Sequence, residues 1–157
     1  MDLLLWRHAE AEEITDSGES ELSDLERLLT ARGDKQAARV AAWLDRQLPE
    51  GTRILVSPAR RCEQTALALG RKFRIRAELA PGASAAELLE LVQWPLAKAP
   101  VLVVGHQPAL GQVVAQLLGL QHGDCPVKKG AVWWLRSRER EGHVRAVVVT
   151  VQSPEVL

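Results

Sequence analysis

The chain has 157 residues, of which 46% are hydrophobic and 25% are charged, and its formal net charge is zero. This size and composition predict one globular domain over residues 1–157. Nucleic acid is disfavoured as a partner, because domains that bind nucleic acid usually carry a basic excess. A membrane is disfavoured as well, because a spanning helix needs roughly 18 apolar residues and no apolar run in the sequence approaches that length. Cys62 and Cys125 form no CxxC pair or disulfide framework, and no signal peptide is recognisable. We therefore expect a cytoplasmic protein with reduced thiols.

The first predicted element is a short apolar strand, Leu3 to Trp6, which stops abruptly at Arg7-His8. An acidic stretch follows, in which eight carboxylate residues between Glu10 and Glu26 precede the next basic residue. We interpret this stretch as a solvated loop whose charges keep it in water. The functional alternative is that these acids oppose a cationic site or select a basic partner surface.

A long helix over residues 31–48 follows, because Thr30 offers an N-cap and the apolar residues recur three or four positions apart. The later predicted elements are a strand at 53–56, a helix from 58 to about 70, a strand at 73–77, a helix capped by Ser84 that runs to about 92, a strand at 101–104, a helix at 108–118, and strands at 131–136 and 144–151. This order predicts a three-layer α/β/α sandwich with a mostly parallel central sheet. The last two strands are expected to form an antiparallel hairpin at or near the sheet edge.

Three of these strands run into residues suited to binding an anion. Arg7-His8 follows the first strand, Ser57-Pro-Ala-Arg-Arg61 the second, and Gly105-His106 the strand at 101–104. Because ligands bind beyond the carboxyl ends of parallel strands, we expect one electropositive site assembled from distant pieces of chain. The helix from Pro58 places Arg60 and Arg61 about 100° apart, so only one of them can face this site. The Ser57-Pro-x-x-Arg spacing favours Arg61.

This ordered set of motifs resembles the histidine phosphatase superfamily. The Thr30-x-x-Gly33 and Gln36-Ala37 pairings and the block from Ser57 to Thr65 look most like its SixA-type phosphohistidine phosphatases. The resemblance covers the chain from Leu3 to about Val151. One departure is Ala9, where the larger superfamily usually has Gly. The resemblance implies a phosphoglycerate-mutase-like fold and a metal-independent phosphatase without a cofactor.

The resemblance also implies a role for each site residue. His8 would attack phosphorus to give a phosphohistidine enzyme that water then hydrolyses. Arg7 and Arg61 would bind the phosphate oxygens through their planar forks of donors, and His106 would be a second catalytic residue. Nearby cations would keep His8 neutral and able to attack. The two arginines would supply the positive charge that a metal would otherwise bring.

Two other readings of individual residues are rejected. The run His8-Ala-Glu10 matches the H-x-E of zinc deaminases, but those enzymes also need a P-C-x-x-C segment, and neither Cys62 nor Cys125 has such a companion. Ser57 precedes a proline and lacks the GxSxG elbow of a serine nucleophile, so we expect it to support the site rather than to react.

Two alternatives with the same pocket remain open: a general phosphomonoesterase acting on small phosphorylated metabolites, and a degenerate phosphate-binding module. Enzymes of the first kind usually carry a Glu that protonates the leaving oxygen, but the family spacing puts Pro81 at that place, with Glu78 nearby. An alkoxide needs such a donor, whereas imidazole, with a pKa of about 6.5, can leave without one. The sequence therefore favours phosphohistidine on a protein as the substrate.

Overall fold

A computed structural model of the chain describes residues 1–14 and 21–157, and the acidic residues Asp16 and Glu19 lie outside this part. The strands are β1 (Asp2–Arg7), β2 (Arg53–Val56), β3 (Arg74–Ile75), β4 (Val101–Gly105), β5 (Val132–Arg140) and β6 (His143–Gln152). The helices are α1 (Glu21–Leu25), α2 (Ala31–Gln47), α3 (Arg60–Leu67), α4 (Ala85–Leu91) and α5 (Ala109–Leu118), with short 3₁₀ segments at Ala77–Leu79 and Pro154–Val156. None of the described helices is long and apolar enough to cross a membrane.

The strands form one sheet in the order β3-β2-β4-β1-β5-β6. The first four of these are parallel, β5 runs antiparallel to β1, and β6 pairs antiparallel with β5 at the edge. In register, Arg7 lies beside Gly105, and Val56 lies beside Val104. The three motif-bearing strand ends are therefore neighbours, with β4 in the middle, and the predicted α/β sandwich with its antiparallel edge is confirmed.

Both faces of the sheet are covered by helices, because the central strands are apolar on both sides. Leu4 and Trp6 of β1 belong to the core formed with α2 and α3. Leu3 and Leu5, which point the opposite way, belong to the core formed with α4 and α5. All four side chains are fully buried. The strand that carries Arg7 and leads to His8 is thus held between two packed layers.

The predicted helix signals are present in the structure. The Thr30 hydroxyl accepts a hydrogen bond from the Gly33 backbone N–H at 2.9 Å, which caps α2. Ser84 and Glu87 form a reciprocal capping box at the start of α4. Gly119 ends α5 with a positive φ of 69°, a conformation that glycine adopts without strain.

Three local predictions are wrong. The acidic stretch is not all loop, because Glu21–Leu25 forms helix α1. The strand expected at 73–77 shrinks to Arg74–Ile75 and is followed by a 3₁₀ segment. The helix expected from Pro58 begins at Arg60, because Ala59 is extended and its N–H bonds back to the Ser57 hydroxyl at 3.2 Å.

Candidate active site

The structure brings together the four residues that the sequence singled out. Arg7 ends β1 and His8 follows it, His106 follows β4, and Arg61 lies in the first turn of α3. The ring centroids of His8 and His106 are 5.3 Å apart, and each histidine is only 6% exposed. The site therefore lies at the carboxyl edge of the parallel strands, as their order predicted.

The environment of His8 defines which ring nitrogen can react. Its Nδ1 lies 2.8 Å from the Ala9 carbonyl oxygen, which can only accept, so Nδ1 carries the proton and Nε2 carries the lone pair. The pKa of His8 is lowered to about 4, first by burial and then by the cations Arg61, Arg7 and Arg27, against a raising effect of the Ala9 carbonyl. His8 is consequently neutral at neutral pH.

His106 is fixed by two neighbours on opposite sides of its ring. Its Nε2 lies 2.7 Å from the Ser57 hydroxyl, and its Nδ1 lies 3.5 Å from Nη2 of Arg61. Since a guanidinium only donates, this geometry favours a proton on Nε2, donated to Ser57. Burial, followed by the repulsion of Arg61 and of His8 once that ring is protonated at low pH, lowers the pKa of His106 to about 3. Ser57 thus orients His106, in agreement with the supporting role expected for it.

Helix α3 presents its two adjacent arginines to different surroundings. The Arg61 residue is 3% exposed and donates from Nη1 to the Asp24 carbonyl at 2.7 Å and from Nη2 to the Asp24 carboxylate at 3.2 Å. Arg60 has a side chain that is 53% exposed, and it faces Glu63 at 3.9 Å on the helix surface. The structure therefore places Arg61 at the site and leaves Arg60 outside it.

Arg7 lies close enough to the pair of histidines for its charge to lower the pKa of both. Its Nη1 donates to the Val127 carbonyl at 2.8 Å, and burial lowers the pKa of its guanidinium. The Nε of Arg7 is buried without a hydrogen-bond partner in the described part of the chain, and the same holds for Nε of Arg61 and of Arg27.

A set of polar side chains ties the segment after His8 to the neighbouring helices. The Thr65 hydroxyl accepts from the Ala9 N–H at 3.1 Å and donates to the Arg61 carbonyl at 2.7 Å. Gln36 accepts from the Glu10 N–H at 3.0 Å. The Ala9 methyl is buried in a small apolar cluster, so the departure from the family's Gly is accommodated.

Sequence reasoning missed the contribution of Asp24 and Arg27. Asp24 contacts Arg61, and Arg27 lies 3.2 Å from the Asp24 carboxylate through its Nε. The only signal was the suggestion that acids of the stretch oppose a cationic site, and it did not single out Asp24. Arg27 is the first base after the acidic stretch, and no pattern marked it as part of the site.

His106 also lines a small pocket, together with Glu78, Gly82, Ser84 and Gln107 among other residues. The Glu78 side chain is 41% exposed and lies 2.5 Å from Nη2 of Arg76. Hydrogen bonds from its own backbone and from Arg76 hold the pKa of the Glu78 carboxyl below its usual range. An ionised carboxylate of this kind is a poor proton donor at neutral pH.

No three His, Cys, Asp or Glu side chains within residues 1–14 and 21–157 are grouped so that they could hold a metal ion. Metal independence remains a prediction. Cys62 is fully buried, with its Sγ 3.4 Å from Nε2 of His106, and burial raises the pKa of its thiol to about 12, so the thiol stays protonated at neutral pH.

Comparisons with known proteins identify relatives of this chain. The family model of the histidine phosphatase superfamily (branch 1) matches residues 3–88. The phosphohistidine phosphatase SixA homolog of Haemophilus influenzae is 34% identical over an alignment 135 residues long, which covers 76% of this chain and 78% of the relative. Phosphohistidine phosphatase SixA of Escherichia coli is 34% identical over an alignment 127 residues long, which covers 74% of each chain.

Solved structures share the fold. The protein histidine phosphatase SixA in complex with tungstate superposes with a TM-score of 0.74 at 28% identity, covering 99% of both chains. A mycobacterial glucosyl-3-phosphoglycerate phosphatase superposes with a TM-score of 0.69 over 95% of this chain and 97% of the other, but at 20% identity it shows only the fold. Because the family model matches more than half of the chain and both curated relatives are 34% identical, the chain belongs to branch 1 of the histidine phosphatase superfamily and is a phosphatase.

Proposed function

We propose that this phosphatase hydrolyses phosphohistidine on a protein, without a metal, through a phosphohistidine intermediate on its own His8. The observation that carries the proposal is the state of His8. Its ring is buried and neutral, its Nδ1 donates to Ala9, and its Nε2 lone pair is available beside the arginines. A neutral imidazole held in one tautomer among cations is suited to attack an anionic phosphoryl group.

The proposed reaction has two steps. Nε2 of His8 forms a bond to phosphorus while the P–N bond of the substrate breaks, and the departing nitrogen keeps the electron pair and takes a proton from solvent. A water oxygen then bonds to phosphorus, the P–Nε2 bond breaks, and orthophosphate leaves. Arg7 and Arg61 stabilise the negative charge that spreads over the three equatorial oxygens. Ser57 holds His106 in place beside them.

The choice of leaving group rests on the surroundings of His106. The nearby carboxylate, Glu78, is paired with Arg76 and has a lowered pKa, and Pro81 brings no acid. An imidazole can leave without a dedicated acid, whereas an alkoxide cannot do so readily. The two relatives at 34% identity are both named for phosphohistidine phosphatase activity, which supports the same substrate class.

The test compares leaving groups in the presence of EDTA. We expect kcat/KM to be high for a phosphohistidine peptide and for an aryl phosphate, and about 10²–10⁴-fold lower for a sugar phosphate, since that is the usual contribution of a general acid. Labelled phosphate should be trapped on His8 and should be absent in His8→Gln. An equal rate with the sugar phosphate would contradict the substrate class. A loss of activity on chelation that zinc or magnesium restores would contradict metal independence, and label on another residue would contradict the role of His8.

A control variant separates the two substrate classes. Glu78→Gln removes the carboxylate closest in sequence to the expected acid and should leave all three rates nearly unchanged. If it selectively slowed the sugar phosphate, Glu78 would be acting as the proton donor. The alternative, a phosphatase of small phosphorylated metabolites, would then be favoured.

A further inference from the structure

Three arginine Nε–H groups are buried without a hydrogen-bond partner in the described part of the chain, and they belong to Arg7, Arg27 and Arg61. Leaving a buried donor unpaired is unfavourable by about 1–3 kcal/mol, and by more for charged groups. A structure that leaves three such donors in one neighbourhood needs an explanation, and an anionic ligand is the simplest one. Two of the three belong to the predicted phosphate site, but Arg27 was not expected there.

Asp24 links Arg27 to that site. Its carboxylate lies 3.2 Å from Nη2 of Arg61 through Oδ2 and 3.2 Å from Nε of Arg27 through Oδ1, although the second contact lacks hydrogen-bond alignment. The Asp24 carbonyl also accepts from Nη1 of Arg61 at 2.7 Å and from the Arg27 backbone N–H at 3.2 Å. One residue therefore holds both guanidinium groups, and a single carboxylate leaves the pair with a net positive charge.

The Arg27 side chain is also anchored on its far side. Nη1 donates to the Glu12 carbonyl at 3.1 Å, and the side chain is 24% exposed. The charge of Arg27 lowers the pKa of both His8 and His106, as do the charges of Arg7 and Arg61. The same three cations thus act on both rings, which a surface arginine remote from the site would not do.

We propose that Arg27 is a third cationic ligand of the substrate's phosphoryl group, held toward Arg61 by Asp24 as a positioning residue. The proposal rests on the phosphate site proposed above and adds a residue to it. A phosphoryl group in transfer carries three equatorial oxygens, and three guanidinium forks around it provide a donor for each. An approaching dianion would also find partners for the three buried Nε–H groups.

The test measures the binding of inorganic phosphate, the product of the reaction, as a competitive inhibitor and by calorimetry. Arg27→Gln keeps an amide that can donate to the Glu12 carbonyl but loses the charge. Removing one charge-assisted hydrogen bond should raise the inhibition constant of phosphate about 10–100-fold. Arg27→Lys, which keeps the charge, should recover part of that loss. Arg32→Ala is the matched control, because the Arg32 side chain is 72% exposed and lies at the surface beside Glu10.

If the inhibition constant of phosphate rises by less than about fivefold in Arg27→Gln, the inference is overturned, because loss of a solvent-exposed charge can produce an effect of that size. A second readout is the titration of the His8 ring by NMR, whose pKa should rise in Arg27→Gln and stay unchanged in Arg32→Ala. An unchanged His8 pKa in Arg27→Gln also overturns it. Arg61→Ala separates the two proposals. If Arg61→Ala weakens phosphate binding and Arg27→Gln does not, only this inference fails, whereas if neither does, the phosphate site itself is wrong.

Discussion

Adjacent residues of one helix can have unrelated roles, and α3 shows why. One step along the helix rotates a side chain by about 100°, which carries Arg61 into the core edge and Arg60 into solvent. The buried guanidinium contacts Asp24 and His106, so its charge acts at short range and with little screening by solvent. The exposed one makes a single long contact to Glu63, a type of pair that contributes little to stability.

This difference gives a prediction for two variants. Arg61→Ala should lower kcat/KM by about 10²-fold or more, since under the proposed mechanism it removes a buried cation that stabilises the transition state. Arg60→Ala should change kcat/KM by less than about twofold, because its ion pair is exposed. Steady-state kinetics with an aryl phosphate would check both values, with thermal unfolding as the control for folding. A larger loss in Arg60→Ala would mean that the helix is rotated relative to this structure.

At the scale of elements, the parts that could be predicted are those with a local signal. Thr30 and the apolar spacing behind it marked α2, and the apolar strands marked β1, β2 and β4 together with the residues that follow them. Helix α1 was not found in this way, because its five residues are too few to show a helical repeat and lie in an acidic stretch. Asp24 and Arg27 were missed because their contacts with the site join parts of the fold and leave no pattern along the chain.

Helix α2 approaches the segment after His8 closely at Gly33, a residue that the sequence marked only as part of the Thr30-x-x-Gly33 motif. A Cβ added to Gly33 would lie 2.0 Å from the Glu10 carbonyl oxygen, which accepts from the Thr30 N–H at 3.0 Å. A glycine is therefore required at position 33 because a larger side chain would collide with Glu10. The backbone conformation does not require it, since the φ of Gly33 is not in the left-handed region. The segment that it accommodates includes Ala9, whose carbonyl orients His8.

Gly33→Ala should accordingly destabilise the protein by about 1–3 kcal/mol, the range typical of overpacking, and should also reduce kcat by disturbing the Ala9 carbonyl. Gly51→Ala is the matched control, since a Cβ there has no atom within 4 Å. Its stability should stay within about 0.5 kcal/mol of the wild type. Denaturant unfolding of the two variants would check this, and equal stabilities would show that the α2 contact can relax at no cost.

At the scale of the whole molecule, the zero net charge conceals a cationic site in which burial, followed by the nearby charges, keeps two histidines neutral. The pKa values of His8 and His106 are about 4 and about 3 in the folded protein, whereas an unfolded chain has histidine pKa values of about 6.5. Between these limits the unfolded chain binds more protons than the folded one. The free energy of unfolding therefore rises with pH through this window. The contribution of the two histidines is fully present above about pH 6.5 and is lost as the pH falls toward 4.

We expect a decrease of about 1.4 kcal/mol per pH unit for each histidine in that window. Denaturant unfolding between pH 7 and pH 5 would measure it. A variant carrying His8→Gln and His106→Asn should show a much flatter pH dependence, whereas His122→Gln, which changes an exposed residue, should keep the slope of the wild type. A wild-type stability that does not change over this range would contradict the buried, neutral state of the two rings.

The position of β1 within the sheet has a consequence for how the protein is made. Leu3 pairs with Val101 on one side and with Leu135 on the other, so neither edge of β1 finds its partner until most of the chain has been synthesised. At usual rates of translation this leaves the apolar run from Leu3 to Trp6 unpaired for on the order of ten seconds, and unpaired apolar edges promote aggregation. His8 is thus synthesised well before β4 and β5, and its site closes only after both of these strands have emerged. The yield of active enzyme should therefore depend on how well the nascent chain is protected during that interval.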